Sequence, residues 1–111
     1  MFVSVIGPVD RRRAVKEQIR ALEESYRLTA KVIRVVREIT NMCWNRARTE
    51  DPSRVMLHFV VCMERNKLRL YNTYGPQIVD SVYEQVLAMF PNDVRSMYTQ
   101  ARQYALARGL I

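Results

Sequence analysis

The sequence predicts an α+β fold in which a short N-terminal strand, one long helix, a β-hairpin and two C-terminal helices follow one another. Three observations lead to this prediction: a 3.5-residue repeat through residues 15–47, an apolar run over residues 55–63, and two amphipathic segments that each follow a proline. The chain has 111 residues, of which 49% are hydrophobic and 26% charged. These values are typical of one folded domain, so we expect a single domain over residues 1–111.

The predicted strand covers residues 2–6, where Phe, Val and Ile surround a single serine. Aromatic and β-branched residues favour strands, and Gly7-Pro8 ends the segment. Asp10 is a residue type that caps helices, and it stands just before a long periodic segment. We therefore expect a helix from Asp10 to about Arg48.

The long helix is predicted from a repeat that advances in steps of four and three residues. Its positions are Val15, Ile19, Leu22, Tyr26, Thr29, Ile33, Val36, Thr40, Cys43 and Ala47. Such a repeat is typical of a helix that packs along one face. A helix of nearly forty residues is about 58 Å long, which exceeds the roughly 30 Å diameter of a domain of this size. Part of the helix should therefore project, bend or pack on a second copy, and of these we expect a second copy, as a homodimer. Packing of the helix on the hairpin and the C-terminal helices explains the repeat equally well.

The segment after this helix allows two interpretations. Residues 55–63 are almost continuously apolar, residues 64–67 are polar and could form a turn, and residues 68–74 alternate. This order fits a β-hairpin, which the Val and aromatic content favours. A helix fits as well, because an Asp-Pro pair suits its start and Gly75 its end. If residues 52–74 are helical, the fold is all-α.

Two helices are predicted at the end of the chain. The first begins at Pro76 and runs to Phe90, where a Pro-Asn pair interrupts it. The second runs from Val94 to about Arg108, and Gly109 ends it.

Both cysteines, Cys43 and Cys62, stand in apolar segments, and two cysteines cannot form a disulfide framework. We expect them to be buried free thiols. The N-terminal basic cluster follows a short apolar run, the reverse of the order in a signal peptide. No stretch approaches the roughly 20 apolar residues of a membrane span. We therefore expect an intracellular protein, cytoplasmic or nuclear, with the mitochondrial matrix as a further option and no membrane contact.

Enzyme motifs are mostly absent. The sequence has neither a glycine-rich phosphate loop nor a G-x-S-x-G motif. His58 is the only histidine, and no C-x-x-C or H-x-x-x-H spacing supports a zinc site with the cysteines. We therefore expect no catalysis, no metal and no other cofactor.

The charge of the chain is strongly basic, with 18 Lys and Arg against 11 Asp and Glu and a formal net charge of +7. On the long helix, six cations fall within a band about 60° wide, opposite the apolar repeat. This basic band consists of Arg13, Lys16, Arg20, Arg27, Lys31 and Arg34. Such a band suits a nucleic-acid backbone, and an ordinary solvated helix face explains it equally well.

A second basic cluster, Arg11, Arg12 and Arg13, would occupy the first turn of the long helix. Free N–H groups and the helix dipole favour anions there, so three cations could use that turn to hold a phosphate. Arginines that simply extend into water are the structural alternative.

A third cluster would lie on the predicted hairpin, where alternation places four side chains on one outward face. These are Arg65, Lys67, Arg69 and Tyr71. Cations beside an exposed aromatic ring suit single-stranded nucleic acid, whereas a basic edge strand that resists aggregation is the structural alternative.

Together these patterns predict a small, basic, non-catalytic protein that binds the phosphate backbone of RNA or DNA as a homodimer. The alternative is an assembly subunit of a larger complex, which would bind an acidic protein surface through the same arginines.

Overall fold

The structure is a computed structural model that describes residues 8–111 of the chain. Helix α1 spans Pro8–Glu50, α2 Val55–Tyr74, α3 Pro76–Ala88 and α4 Asn92–Ala107, with a 3-10 turn at Pro52–Arg54 before α2. Residues 8–111 contain no strand. The predicted α+β fold is therefore wrong, and the all-α alternative is correct. The strand predicted over residues 2–6 lies outside the described residues.

Helix α2 replaces the predicted hairpin. Its buried residues follow the helical period of three and four rather than the alternation of a strand. They are Phe59, Val60, Met63, Glu64 and Leu70. The polar residues 64–67 contain neither Gly nor Pro, so nothing forces the chain to turn there. Gly75, with a φ of 90°, ends α2 and donates its N–H to the Tyr71 carbonyl at 2.9 Å.

The prediction of one long helix is confirmed, since α1 runs without a break from Pro8 to Glu50. The chain nevertheless divides into two compact units, Met1–Lys31 and Val32–Ile111, and α1 contributes residues to both. The prediction of a single domain over residues 1–111 stays a prediction.

In the second unit, the core is built around Phe59 of α2. Its ring makes edge contacts with Trp44 of α1 and Tyr98 of α4, with centroids 5.5 and 5.9 Å away, and it also meets Phe90. Tyr83 of α3 donates its hydroxyl to the Met63 carbonyl at 2.7 Å. All four helices therefore supply side chains to one core.

Cys43 of α1 and Cys62 of α2 form a disulfide, with their Cα atoms 5.6 Å apart. The prediction of two free thiols is therefore wrong. The two residues are 19 positions apart in sequence, and only the packing of α1 against α2 brings them together. The pair no longer favours an intracellular protein, because disulfides persist mainly in oxidising compartments.

The two C-terminal helices are confirmed within two residues of their predicted ends, at Pro76–Ala88 and Asn92–Ala107. Gly109, with a φ of 70°, follows α4 in the left-handed region that glycine adopts without strain. The N–H of Leu110 then bonds back to the Ala105 carbonyl at 2.9 Å, which closes the end of the helix.

Candidate interaction surfaces

The basic band on α1 is solvent-exposed along its whole length. Each of its six residues, from Arg13 to Arg34, has an exposed side chain. The five residues from Arg13 to Lys31 belong to the first unit, where the helical period places them on one face. The band is therefore accessible to a partner, although exposure by itself is also the ordinary state of a charged helix face.

A second exposed face of α1 is apolar. We call it the apolar stripe, and it consists of Val15, Ile19, Leu22 and Tyr26. These side chains are 52%, 50%, 57% and 72% exposed. Farther along α1, the same repeat is buried at Val36, Cys43 and Ala47. The repeat is thus covered by the protein's own core in the second unit and solvent-exposed in the first.

The arginines Arg11, Arg12 and Arg13 lie near the start of α1. Because α1 begins at Pro8, they are its fourth to sixth residues. The N–H groups without a partner inside a helix belong to its first four residues, so Arg11 is the last of these and the other two follow in the next turn. Binding of an anion by these three arginines stays a prediction.

The four residues predicted to share one hairpin face are divided between two sides of α2. Arg65 and Arg69 are one turn apart and line a cleft against α1. Lys67 and Tyr71, also one turn apart, face α3. Lys67 lies 5.7 Å from the centre of the Tyr83 ring, and Tyr71 donates its hydroxyl to Asp80. The predicted outward face is therefore wrong, because residues two apart diverge on a helix.

The cleft between α1 and α2 has a volume of about 440 Å³. Cations line it from both helices: Arg46 of α1, and Arg65 and Arg69 of α2. The disulfide and the His58 ring also line it. We call this site the arginine cleft.

Asn66 adds a polar group to the arginine cleft. Its amide donates to the Cys62 carbonyl at 2.8 Å and lies 3.7 and 3.8 Å from the two disulfide sulfurs. This bond fixes the amide beside the disulfide. The disulfide joins the two walls of the cleft, and the Asn66 hydrogen bond lies beside it on α2.

On the other side of α2, Glu64 is a buried carboxylate, with 7% of its side chain exposed. Lys67 approaches one carboxylate oxygen at 3.1 Å, and Arg102 of α4 donates to the other. A buried carboxylate needs such partners, because burial without them is costly. The two cations therefore neutralise Glu64, and Arg102 also joins α2 to α4.

Three tyrosines around this carboxylate have raised pKa values. The hydrogen bond to Asp80 is the main cause for Tyr71, whose pKa rises to about 12. Burial raises the pKa of the Tyr83 and Tyr98 hydroxyls, and the nearby Glu64 charge adds to this effect. All three hydroxyls therefore remain protonated near neutral pH.

His58 lies at the edge of the arginine cleft, where its Nε2 is 3.1 Å from an oxygen of Asp51. The pKa of Asp51 is lowered, mainly by a hydrogen bond from the Ser53 hydroxyl and further by His58. Among residues 11–111, no group of three or more His, Cys, Asp and Glu side chains could hold a metal ion. The two cysteines considered with His58 above form the disulfide.

Sequence reasoning missed three cleft residues, Arg46, His58 and Asn66, and the cation Arg102. The i, i+4 spacing of Arg65 and Arg69 carried a signal for one shared face, but only on a helix. Arg46 and Arg102 lie on other helices, so no local pattern connects them to α2.

Comparisons with protein-family models, with curated proteins and with solved structures found no match. They therefore support no particular function, and the predicted binding of nucleic acid stays a prediction without support from them. None of the described helices is long and apolar enough to cross a membrane.

Proposed function

We propose that this chain is a non-catalytic assembly protein, and that α1 binds a second copy of the chain through the apolar stripe. The observation that carries this proposal is the exposure of the stripe. From Arg11 to Leu28 every side chain is exposed, although Val15, Ile19 and Leu22 are large apolar residues in a regular helical repeat. Helices owe most of their stability to packing of an apolar face, so a partner for this face stabilises the first unit.

The spacing of the residues in the apolar stripe supports a second copy of the chain as the partner. Assigned to a heptad, Ile19 and Tyr26 are a positions, and Val15 and Leu22 are d positions. An antiparallel pair of such helices then places Ile19 opposite the partner's Leu22. It also places Val15 opposite the partner's Tyr26, so each apolar residue of the stripe meets another.

Two flanking charges favour the antiparallel arrangement. Lys16 and Glu23 are both e positions, which face each other across an antiparallel pair. Lys16 then meets the partner's Glu23, and the two-fold symmetry forms this ion pair twice. A parallel pair would instead bring Arg11 against the partner's Lys16, which is repulsive.

Apart from Lys16, the basic band remains exposed in such a dimer. Most of its residues, for example Arg20 and Arg27, lie on the side of α1 opposite the stripe. A dimer therefore carries two basic bands that are available to an acidic protein surface.

Sedimentation equilibrium tests the proposal directly. We expect twice the chain mass of 13.1 kDa at micromolar concentration. Ile19→Asp should give a monomer, because it places two unpaired charges in the interface. Ala21→Asp is the matched control, since it adds the same charge on the opposite side of the exposed helix and should leave the dimer intact. A wild-type monomer across the accessible concentrations would refute the proposal.

Charge exchange tests the orientation. Lys16→Glu should weaken the dimer by about tenfold if it is antiparallel, and Lys16→Glu with Glu23→Lys should restore it. In a parallel dimer, Lys16→Glu would relieve repulsion with Arg11 and strengthen association. Lys31→Glu changes the net charge equally, but it lies outside the interface and should have little effect.

The same sedimentation experiment, repeated with RNA or DNA, tests whether nucleic acid is the partner. If wild-type chain stays monomeric alone but dimerises when RNA or DNA is added, the basic band and not the apolar stripe drives association.

A further inference from the structure

The arginine cleft lies in the second unit and takes no part in the proposed dimer. Among residues 11–111, it is lined by three guanidinium groups, Arg46, Arg65 and Arg69, and by one carboxylate, Glu50. Arg46 and Glu50 are 3.8 Å apart and more than half exposed, a geometry that contributes little. Across residues 11–111, neither Arg65 nor Arg69 forms an ion pair. The cleft therefore carries an excess of positive charge.

The charges of a second cleft, on the opposite side of α2, provide a comparison. This cleft has a volume of about 330 Å³ and contains the cations Lys67 and Arg102. Three carboxylates line it as well, from Glu64, Asp80 and Glu84. Its two cations are both paired with Glu64. The excess of positive charge thus distinguishes the arginine cleft from the cleft on the other side of α2.

Like charges that face one concave surface repel each other, and they concentrate the positive potential in the cleft. An anion in the cleft removes this repulsion. Guanidinium groups bind phosphate and carboxylate oxygens through paired hydrogen bonds, and the volume of 440 Å³ falls in the range of small-molecule sites.

We propose that the arginine cleft binds a small phosphate-bearing anion. A phosphate group offers at least three acceptor oxygens, enough for all three arginines, whereas a carboxylate offers two. The Asn66 amide and the His58 ring line the same cleft and supply further polar groups. The disulfide, Ala47 and Val61 complete the wall and give room for an apolar part of the ligand.

The cleft is preorganised by contacts that already exist. The disulfide holds α1 against α2 at the base of the cleft. Arg65 donates to the Leu110 carbonyl at 3.3 Å, which orients its guanidinium group while leaving other N–H groups available. Fewer groups must be ordered on binding, and this favours affinity.

Isothermal titration calorimetry on the full chain, with inorganic pyrophosphate as the probe, tests the proposal. We expect saturable binding at one site per chain. Arg46→Gln and Arg69→Gln should each weaken it by about tenfold, because each removes a charged hydrogen-bond donor. Glu50→Gln should strengthen it, because this change removes a carboxylate that lines the cleft. Both arginines are exposed, so the melting temperature should not change.

Arg54→Gln is the matched control: this exposed arginine lies outside the cleft, and its loss changes the net charge equally. It should leave the affinity within about twofold of wild type. Equal weakening by Arg54→Gln and Arg69→Gln would mean that net charge alone attracts the anion, and would overturn the site. Absence of pyrophosphate binding would overturn it as well.

Orthophosphate and acetate serve as comparison ligands. Orthophosphate should bind more weakly than pyrophosphate, and acetate, which offers two acceptor oxygens, should bind at least about tenfold more weakly than orthophosphate. Acetate binding as tight as that of orthophosphate would overturn the assignment to phosphate.

Discussion

Arg102 of α4 donates its Nε–H to the carboxylate of Glu64, which lies 38 residues earlier on α2. The carboxylate is almost completely buried, while the Arg102 side chain is 45% exposed. Lys67, one turn from Glu64 on α2, contacts its second oxygen at 3.1 Å. The contact between α2 and α4 therefore combines ring packing at Phe59 with a buried charge that needs both of its cations.

Removing Arg102 should destabilise the fold. Arg102→Met keeps most of the side-chain volume but leaves Glu64 with Lys67 as its one cationic partner. We expect the free energy of unfolding to fall by about 2 kcal/mol, less than for a fully unpaired buried charge because Lys67 remains. Urea denaturation measures this. Arg95→Met on the exposed side of α4 should change it by less than about 0.5 kcal/mol, and equal effects would contradict the role of the pair.

The ring cluster at Phe59 should dominate the stability of the second unit. Phe59 is 2% exposed and contacts aromatic rings of α1 and α4. Phe59→Ala should lower the free energy of unfolding by about 3–5 kcal/mol, because it leaves a cavity and removes these contacts. Met89, 82% exposed, provides the control, and Met89→Ala should have almost no effect. If Phe59→Ala lowers the free energy of unfolding only slightly, the ring cluster at Phe59 does not dominate the stability of the second unit.

The disulfide should stabilise the folded chain. Cys43 and Cys62 are separated by 19 positions, and closing a loop of this size in the unfolded chain contributes about 3 kcal/mol. Reduction with dithiothreitol should therefore lower the urea midpoint. The double variant Cys43→Ala and Cys62→Ala should behave like the reduced chain and no longer respond to the reductant. If two thiols can be titrated in the unfolded chain before any reductant is added, the cysteines are free, as the sequence predicted.

Stability should fall at alkaline pH. The pKa values of Tyr71, Tyr83 and Tyr98 are raised in the folded state, so the folded chain holds these protons more tightly than the unfolded chain. Their contribution is fully present below about pH 10, the ordinary pKa of tyrosine. For Tyr71 it is lost as the pH rises towards its folded value of about 12.

Urea midpoints measured across this pH range test the prediction. We expect a decline that begins at about pH 10 and is shallower for Tyr71→Phe, because that variant has one proton less to lose. A midpoint that stays constant through this range would show that the three hydroxyls ionise equally well in both states.

Helices α1, α3 and α4 could be predicted from the sequence, because each combines a long apolar period with clear end signals. Pro76 and Gly109 mark such ends, and the repeat of α1 persists over ten positions. Helix α2 could not be predicted in this way. Its first nine residues are almost all apolar, so a period of two and a period near four describe them equally well.

Whether the residues of α2 form a strand or a helix also decides which of their cations share a face. On a strand Arg65, Lys67, Arg69 and Tyr71 share a face; on a helix the first and third separate from the other two. The sequence alone also identified the basic band and the apolar repeat to which the stripe belongs, because both are properties of a helix.

Tertiary structure alone decided which residues from different helices meet. It paired Cys43 with Cys62, brought Arg46 and Arg69 into one cleft, and brought Arg102 to Glu64. Within one helix, the distance between two side chains follows from their spacing in sequence, so periodicity predicts it. For two side chains on different helices, the distance depends on how the apolar faces of the helices pack against each other. The number of residues between the two positions in the sequence does not predict it.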